Sequence, residues 1–181
     1  MKKLLKRIKN SSSGLSLVEM LCAIMILLIV SEGMAQGISL AQRQYEKSIV
    51  SSQSKVLCSS ISTIVERELA YTTEIKMSDS TNVYSFLSSN YVIRDEDLSH
   101  FFTDQTDGEY GQIYLGTEEE AKEILGSKAY NRGLTALIRD LRYDQSTYTF
   151  TVTVSIGYKG EEYMKRTFNV INVNKTIATI R

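Results

Sequence analysis

The sequence predicts an α+β protein in which a long N-terminal helix, transmembrane in its first half, packs on a C-terminal antiparallel β-meander. Three observations lead to this fold class. The chain contains no proline, and apolar residues fill the stretch from Met20 to Val30. Beyond it, apolar residues recur at helical spacing on one face. Near the C-terminus, apolar and small residues alternate from Thr147 to Tyr158, which is the period of a half-buried strand.

Residues 1–14 are predicted to form a basic leader. They hold five of the chain's 21 basic residues and none of its 21 acidic residues. In a secretory signal peptide the cleavage site follows the apolar region, whereas here the candidate site at Gly14 precedes it. Cleavage after Gly14 would remove the leader and leave the apolar segment as the new N-terminus, beginning at Leu15.

Glu19 lies within this apolar segment. A charged side chain at the centre of a membrane helix costs roughly 2.5–3.5 kcal/mol, so such residues persist mostly where a partner exists. Cleavage would create that partner, since the new α-amino group of Leu15 is cationic and lies one turn away. The same group on a neighbouring subunit would serve equally well. The alternative is an acid near the membrane interface that reaches water and has no further role.

The basic leader, Gly14, the apolar Leu15 and Glu19 at the fifth mature position together resemble the prepilin leader of type IV pilins and of type II secretion pseudopilins. The resemblance covers about the first 45 residues. It implies a pilin-like fold, cleavage after Gly14 by a prepilin peptidase, N-methylation of Leu15 and a role for Glu19 in subunit assembly. Most members of this family begin the mature chain with phenylalanine, where this chain has Leu15.

The function implied by the resemblance is that of a structural subunit, a pilin or minor pilin, of a type IV pilus-like filament. No enzymatic activity and no cofactor are expected. The expected partners are the prepilin peptidase, other subunits, an inner-membrane assembly platform and membrane lipid. The protein would be single-pass with an exported head before assembly, and part of a cell-surface or periplasmic filament afterwards.

Two alternatives stay open at this point. The first is a pseudopilin whose short filament works in protein secretion. The second is an uncleaved single-pass membrane protein with an adhesive or ligand-binding head.

The long helix is predicted to run from Leu15 to about Leu69, roughly 55 residues or about 80 Å. Residues 15–41 form the transmembrane or filament-core half, since about 20 apolar residues span a bilayer. Residues 42–70 form the exposed half, and residues 71–181 form the head. Gly33 and Gly37 are spaced as G-x-x-x-G, which lets membrane helices approach closely, although glycine is common in such helices anyway.

The exposed half carries an apolar stripe that the head should cover. Its members lie at offsets of 4, 7, 8 and 12 residues from the first: Leu57, Ile61, Ile64, Val65 and Leu69. The cover is predicted to be a three-stranded meander over about residues 135–174. Its strands are Leu137–Tyr143, residues 147–158 and Tyr163–Val173, joined by short hairpins. The strand 147–158 is expected to have one buried and one solvent-facing side.

The middle of the chain gives weaker signals. Strands are predicted at Val83–Leu87, Tyr91–Ile93 and Gln112–Leu115, with a turn at Asp107-Gly108. Thr117 and Glu120 have the spacing of a capping box, which predicts a short helix from Glu118 to Leu125 that ends at Gly126.

Few residues point to chemistry. His100 is the only histidine, which excludes paired-histidine metal sites, and no catalytic constellation emerges. Asp104, Asp107 and Glu109 are interpreted as a solvated turn rather than a calcium site, so no metal is predicted. Cys22 and Cys58 are about 54 Å apart along a continuous helix, beyond disulfide reach.

The charge balance argues against nucleic acid as a partner. Without the leader, the remaining 167 residues hold 16 basic and 21 acidic groups, a net charge of −5. Phosphate binding needs clustered Lys and Arg. A scattered basic set near the C-terminus is diluted by Glu161 and Glu162, so DNA binding is not expected; the set consists of Lys159, Lys165, Arg166, Lys175 and Arg181.

Overall fold

The computed structural model describes residues 16–78, 81–89, 98–105, 109–117, 120–174 and 177–180. The chain divides into two compact units, Met1–Ser48 and Ile49–Arg181. One long helix, α1 (Leu17–Ala70), contributes to both of them. This confirms the predicted long helix, whose last residue differs by one from the prediction.

The second unit contains three three-stranded sheets within the described residues. Their orders are β2-β1-β9, β3-β4-β5 and β6-β7-β8. The strands are β1 (Thr72–Met77), β2 (Val83–Ser88), β3 (His100–Thr103), β4 (Ile113–Gly116), β5 (Ala121–Glu123), β6 (Leu134–Asp144), β7 (Thr149–Tyr158), β8 (Glu161–Ile171) and β9 (Ala178–Ile180). The layout is the α+β arrangement that the sequence predicts.

The part of α1 in the second unit packs on the sheets through the predicted stripe. Leu57, Ile61, Val65 and Leu69 are buried, whereas Ile64 is only half-buried. They share one hydrophobic core with alternate residues of β7, namely Phe150, Val152, Val154 and Ile156. On the helix, spacings of four, seven or eight residues place these side chains on one face. On the strand, a spacing of two does the same, and the two faces form one core.

Strands β6, β7 and β8 form the predicted meander. β7 pairs antiparallel with β6 on one side and with β8 on the other. The β7–β8 connection is the two-residue turn Lys159-Gly160, and both residues have positive φ, at 54° and 83°. That is the backbone of a type I′ hairpin turn, in which glycine suits the second position.

The expectation of one solvent-facing side for the central strand, β7, is wrong. Thr153 and Ser155 point away from the helix, yet both are buried, and Ser155 has no exposed surface. Side chains of Tyr110, Arg139 and Glu162 contact this side of β7. The alternation predicted the strand correctly. It could not predict that side chains distant in the sequence bury the side of β7 that faces away from the helix.

The predicted short helix Glu118–Leu125 is also wrong. Ala121–Glu123 forms strand β5, which pairs antiparallel with β4. Thr117 Oγ1 does accept the N–H of Glu120 at 3.2 Å, but the N–H of Thr117 also donates to the carbonyl of Glu120 at 2.9 Å. The threonine-to-glutamate spacing therefore closes a hairpin turn rather than starting a helix. Gly126 precedes a 3₁₀ turn, Ser127–Ala129, instead of ending a helix.

The remaining predicted elements have mixed outcomes. Strands β2 and β4 confirm the predictions at Val83–Leu87 and Gln112–Leu115 within one residue at each end. The predictions at Tyr91–Ile93 and Asp107-Gly108 lie outside the described residues. Strands β1, β3 and β9 were not predicted, and β9 pairs parallel with β1.

Candidate functional site

The first unit presents an apolar surface that nothing in the described chain covers. Large apolar side chains between Leu17 and Leu40 are 48% to 78% exposed. This part of α1 is long enough and apolar enough to cross a membrane. It is a candidate membrane span, which agrees with the predicted transmembrane half at the level of length and composition.

Glu19 lies in the first turn of this helix. Its Oε2 accepts a hydrogen bond of 2.9 Å from the backbone N–H of Ser16, and the carbonyl of Ser16 accepts the N–H of Met20 at 3.1 Å. Ser16 is therefore the N-cap residue of α1, and Glu19 occupies the third helical position. A carboxylate at this place also lies at the positive end of the helix dipole.

Gly14 and Leu15, the predicted cleavage and methylation residues, lie outside the described residues. Gly33 and Gly37 lie in α1, and a Cβ at either position would meet no heavy atom within 4 Å. The backbone there is accessible, as close approach of another helix requires, and the predicted packing role stays a prediction.

The second unit holds a polar cluster centred on Arg139, which the sequence did not predict. Arg139 Nη2 donates to the Tyr110 hydroxyl at 2.9 Å, and Nε lies 3.3 Å from Ser155 Oγ. Glu162 Oε2 accepts from both Tyr110 and Ser155, at 3.2 Å each, and lies 3.2 Å from Arg139 Nε. The hydrogen bond from Arg139 to Tyr110 is the main reason that the pKa of Arg139 is raised.

Two backbone features bring this cluster together. A register shift in β6 falls at Arg139, between Ile138 and Asp140, as in a β-bulge that redirects a side chain. In β7, Gly157 lets Tyr110 approach, because a Cβ there would lie 2.8 Å from the tyrosine ring. Gly157 was the available sequence signal, since a glycine inside a strand pattern often marks close approach of another group. The cluster fixes residues near Tyr110 to the meander and leaves no free nucleophile or base.

His100 lies in a row of aromatic rings on β2, β3 and β4. Its ring centroid is 5.9 Å from that of Tyr84 and 5.1 Å from that of Phe102, and Phe102 lies 5.8 Å from Tyr114. The Tyr84–His100 and Phe102–Tyr114 contacts join different strands, and cross-strand aromatic contacts stabilise sheets. His100 is half-buried, and its ring contacts give it a structural role in this row.

A small cavity of about 140 Å³ lies beside the last turns of α1 and the β4–β5 hairpin. One wall is Glu68, a buried acid whose Oε2 accepts from Ser88 Oγ at 3.0 Å and whose Oε1 lies 3.3 Å from Arg67 Nη2. Buried carboxylates need such partners. Glu68 is thus satisfied as a structural group.

The other chemically distinctive residues have local roles. Asp104 Oδ1 accepts the N–H of Gln112 at 2.7 Å, as expected of a turn residue, whereas Asp107 lies outside the described residues. Both cysteines are free, and burial raises the pKa of the Cys58 thiol. Among the described residues there is no group of three or more His, Cys, Asp or Glu side chains that could hold a metal ion.

No family model, curated protein or solved structure matches the chain. Function is therefore inferred from the residues and their geometry.

Proposed function

We propose that this chain is a structural subunit, a pilin or minor pilin, of a type IV pilus-like filament. In this proposal a prepilin peptidase cleaves after Gly14 and methylates Leu15, and the first part of α1 packs with the same part of other subunits. The second unit is the exported head. The role is structural and not catalytic.

One observation carries the proposal: an apolar helix surface begins immediately after the predicted cleavage motif and is exposed along its length. A lipid bilayer covers such a surface in a single subunit, and neighbouring helices can cover it in a filament. Gly33 and Gly37 support the second environment, because their backbone is open to close approach.

The position of Glu19 supports it further. Cleavage after Gly14 places a cationic amino group on Leu15, within reach of an acid that is otherwise costly in a membrane. Methylation leaves that amino group charged. The partners that follow are the peptidase, an inner-membrane assembly platform, membrane lipid and further copies of the subunit.

The mass of the N-terminal peptide, measured on protein extracted from its native membrane, tests the proposal. We expect the chain to begin at Leu15 with one additional methyl group. A chain that retains the leader would contradict the proposal and favour the uncleaved single-pass protein with a binding head. A pilus and a secretion pseudopilus share this N-terminus, and neighbouring genes for retraction or secretion machinery distinguish them.

A further inference from the structure

Glu19 already has a partner within its own chain. Its Oε2 accepts the Ser16 N–H at 2.9 Å, while the Ser16 carbonyl accepts the first helical N–H, that of Met20. Serine at the N-cap with glutamate three residues later is the capping-box sequence, and the bond from Glu19 back to the N-cap N–H is one of its two reciprocal bonds.

We infer that Glu19 is a positioning residue that fixes where α1 begins in the single subunit, before any contact with another subunit. The first four N–H groups of a helix have no acceptor within the helix. Inside a bilayer there is no water to replace that acceptor. A carboxylate that binds the N-cap N–H therefore fixes the start of the helix at Leu17. Leu17 is the third residue after Gly14, the predicted cleavage position.

The inference rests on the proposed function only for the importance of this location, since the hydrogen bond itself does not depend on processing. The Leu15–Ser16 peptide bond, and with it the Ser16 N–H, is present before and after cleavage at Gly14. The bond uses one carboxylate oxygen, and a carboxylate has two, each with two lone pairs. The same side chain can thus hold the helix start and accept the amino group of Leu15.

Hydrogen-bond acceptance and charge are separable by substitution. Glu19→Gln keeps a carbonyl oxygen at nearly the same place and removes the charge, whereas Glu19→Ala removes both. Glu32 is a matched control, because it is an acid on the same exposed part of α1 whose Oε1 meets Gln36 Nε2 at 3.5 Å, away from the helix start.

The test is backbone amide hydrogen exchange, measured by NMR on the full chain in detergent micelles. We expect the Ser16 amide to exchange about fivefold faster in Glu19→Ala than in the unmodified protein, as loss of a helix cap predicts. Glu19→Gln and Glu32→Ala should leave it nearly unchanged. Equal exchange in Glu19→Ala and the unmodified protein would overturn the inference, and so would exchange in Glu19→Gln as fast as in Glu19→Ala.

The N-terminal mass separates this inference from the proposed function. A chain that keeps its leader but protects the Ser16 amide in a Glu19-dependent way would remove the filament proposal and leave the positioning role intact. A processed chain with an unprotected Ser16 amide would do the reverse.

Discussion

At Gly157, the Tyr110 ring packs directly against the backbone of strand β7. A Cβ at this position would lie 2.7 Å from Thr135 Oγ1 and 2.8 Å from the Tyr110 ring. Gly157→Ala should therefore displace Tyr110 and lower the free energy of unfolding by about 1–3 kcal/mol, the usual cost of overpacking. Urea denaturation of the full chain in mild detergent, followed by circular dichroism, measures the loss.

Gly126→Ala is the matched control for this substitution. Gly126 has a φ of −57°, which any residue adopts, and no heavy atom lies within 4 Å of a Cβ there. The control should denature at the urea concentration of the unmodified protein or slightly above it. An unchanged urea midpoint for Gly157→Ala would show that Tyr110 moves aside without loss of stability, which would contradict the prediction.

Asp144 gives the β6–β7 turn a pH dependence. Its carboxylate accepts bonds from the Ser146 hydroxyl and N–H, at 2.6 and 2.9 Å, and from the Thr147 hydroxyl at 3.0 Å. The Ser146 hydroxyl is the first cause of a pKa lowered from the ordinary value of aspartate. A carboxyl group with a lower pKa in the folded state stabilises that state above the unfolded pKa, and this contribution is lost as pH falls through the folded value.

The hairpin should therefore lose stability below about pH 4. An NMR titration of the Asp144 carboxyl carbon checks the direction, and Ser146→Ala should move the midpoint upward because it removes one donor. The same midpoint in both proteins would contradict this explanation.

At the scale of elements, Asn172 joins the end of the meander to the end of the helix. Its Nδ2 donates to the carbonyls of Leu69 and Thr72, at 3.0 Å each, and the N–H of Val173 donates to the Ala70 carbonyl at 2.8 Å. The last carbonyls of a helix have no partner within it, so the residues that directly follow β8 supply a cap from about 100 positions along the chain.

Asn172→Leu should lower the free energy of unfolding by about 2–4 kcal/mol, since it removes two hydrogen bonds from buried carbonyls. Asn131→Leu is the control, because Asn131 is exposed on the same unit. Thermal denaturation of the two variants in the same detergent provides the comparison. Equal melting temperatures would show that water replaces Asn172 as the cap.

The same elements show what a single sequence can predict. The α1 helix and strand β7 each have a long, regular period, so neighbouring residues suffice to identify them. The Thr117-to-Glu120 spacing failed because a local hydrogen bond of this kind serves a hairpin as well as a helix. Strands β1 and β9 were missed because their parallel pairing joins residues about 100 positions apart.

The candidate functional residues show the same difference between features visible in the local sequence and features that depend on distant contacts. Glu19 was identified because an acid in an apolar segment is conspicuous in sequence. Its bond to Ser16 required geometry, although the serine-to-glutamate spacing is a capping-box signal. The Arg139 cluster depends on side chains from four separate segments, which contribute Tyr110, Arg139, Ser155 and Glu162. Gly157 was the single sequence signal for it.

At the scale of the whole molecule, two units with different surfaces share one helix. The unit Met1–Ser48 contains the long run of exposed apolar side chains, whereas the unit Ile49–Arg181 contains the described hydrophobic core. Burial of apolar residues drives folding of the second unit in water. The exposed apolar run of the first unit is a candidate membrane span, and large exposed apolar surfaces mark sites of membrane or protein contact. The boundary lies within α1, near Ser48.

This division predicts that residues 45–181, expressed alone, form a soluble monomer with mixed helix and sheet, while the full chain requires detergent. The core residues of α1 from Val50 onward remain, and the exposed apolar run is removed. Residues 62–181 are the matched control, because they lack Val50, Leu57 and Ile61 and should not fold. Light scattering after size exclusion, together with circular dichroism, measures both. If residues 45–181 aggregated or lacked structure, α1 would require the residues before Tyr45 to support the sheets, and the second unit would not fold independently.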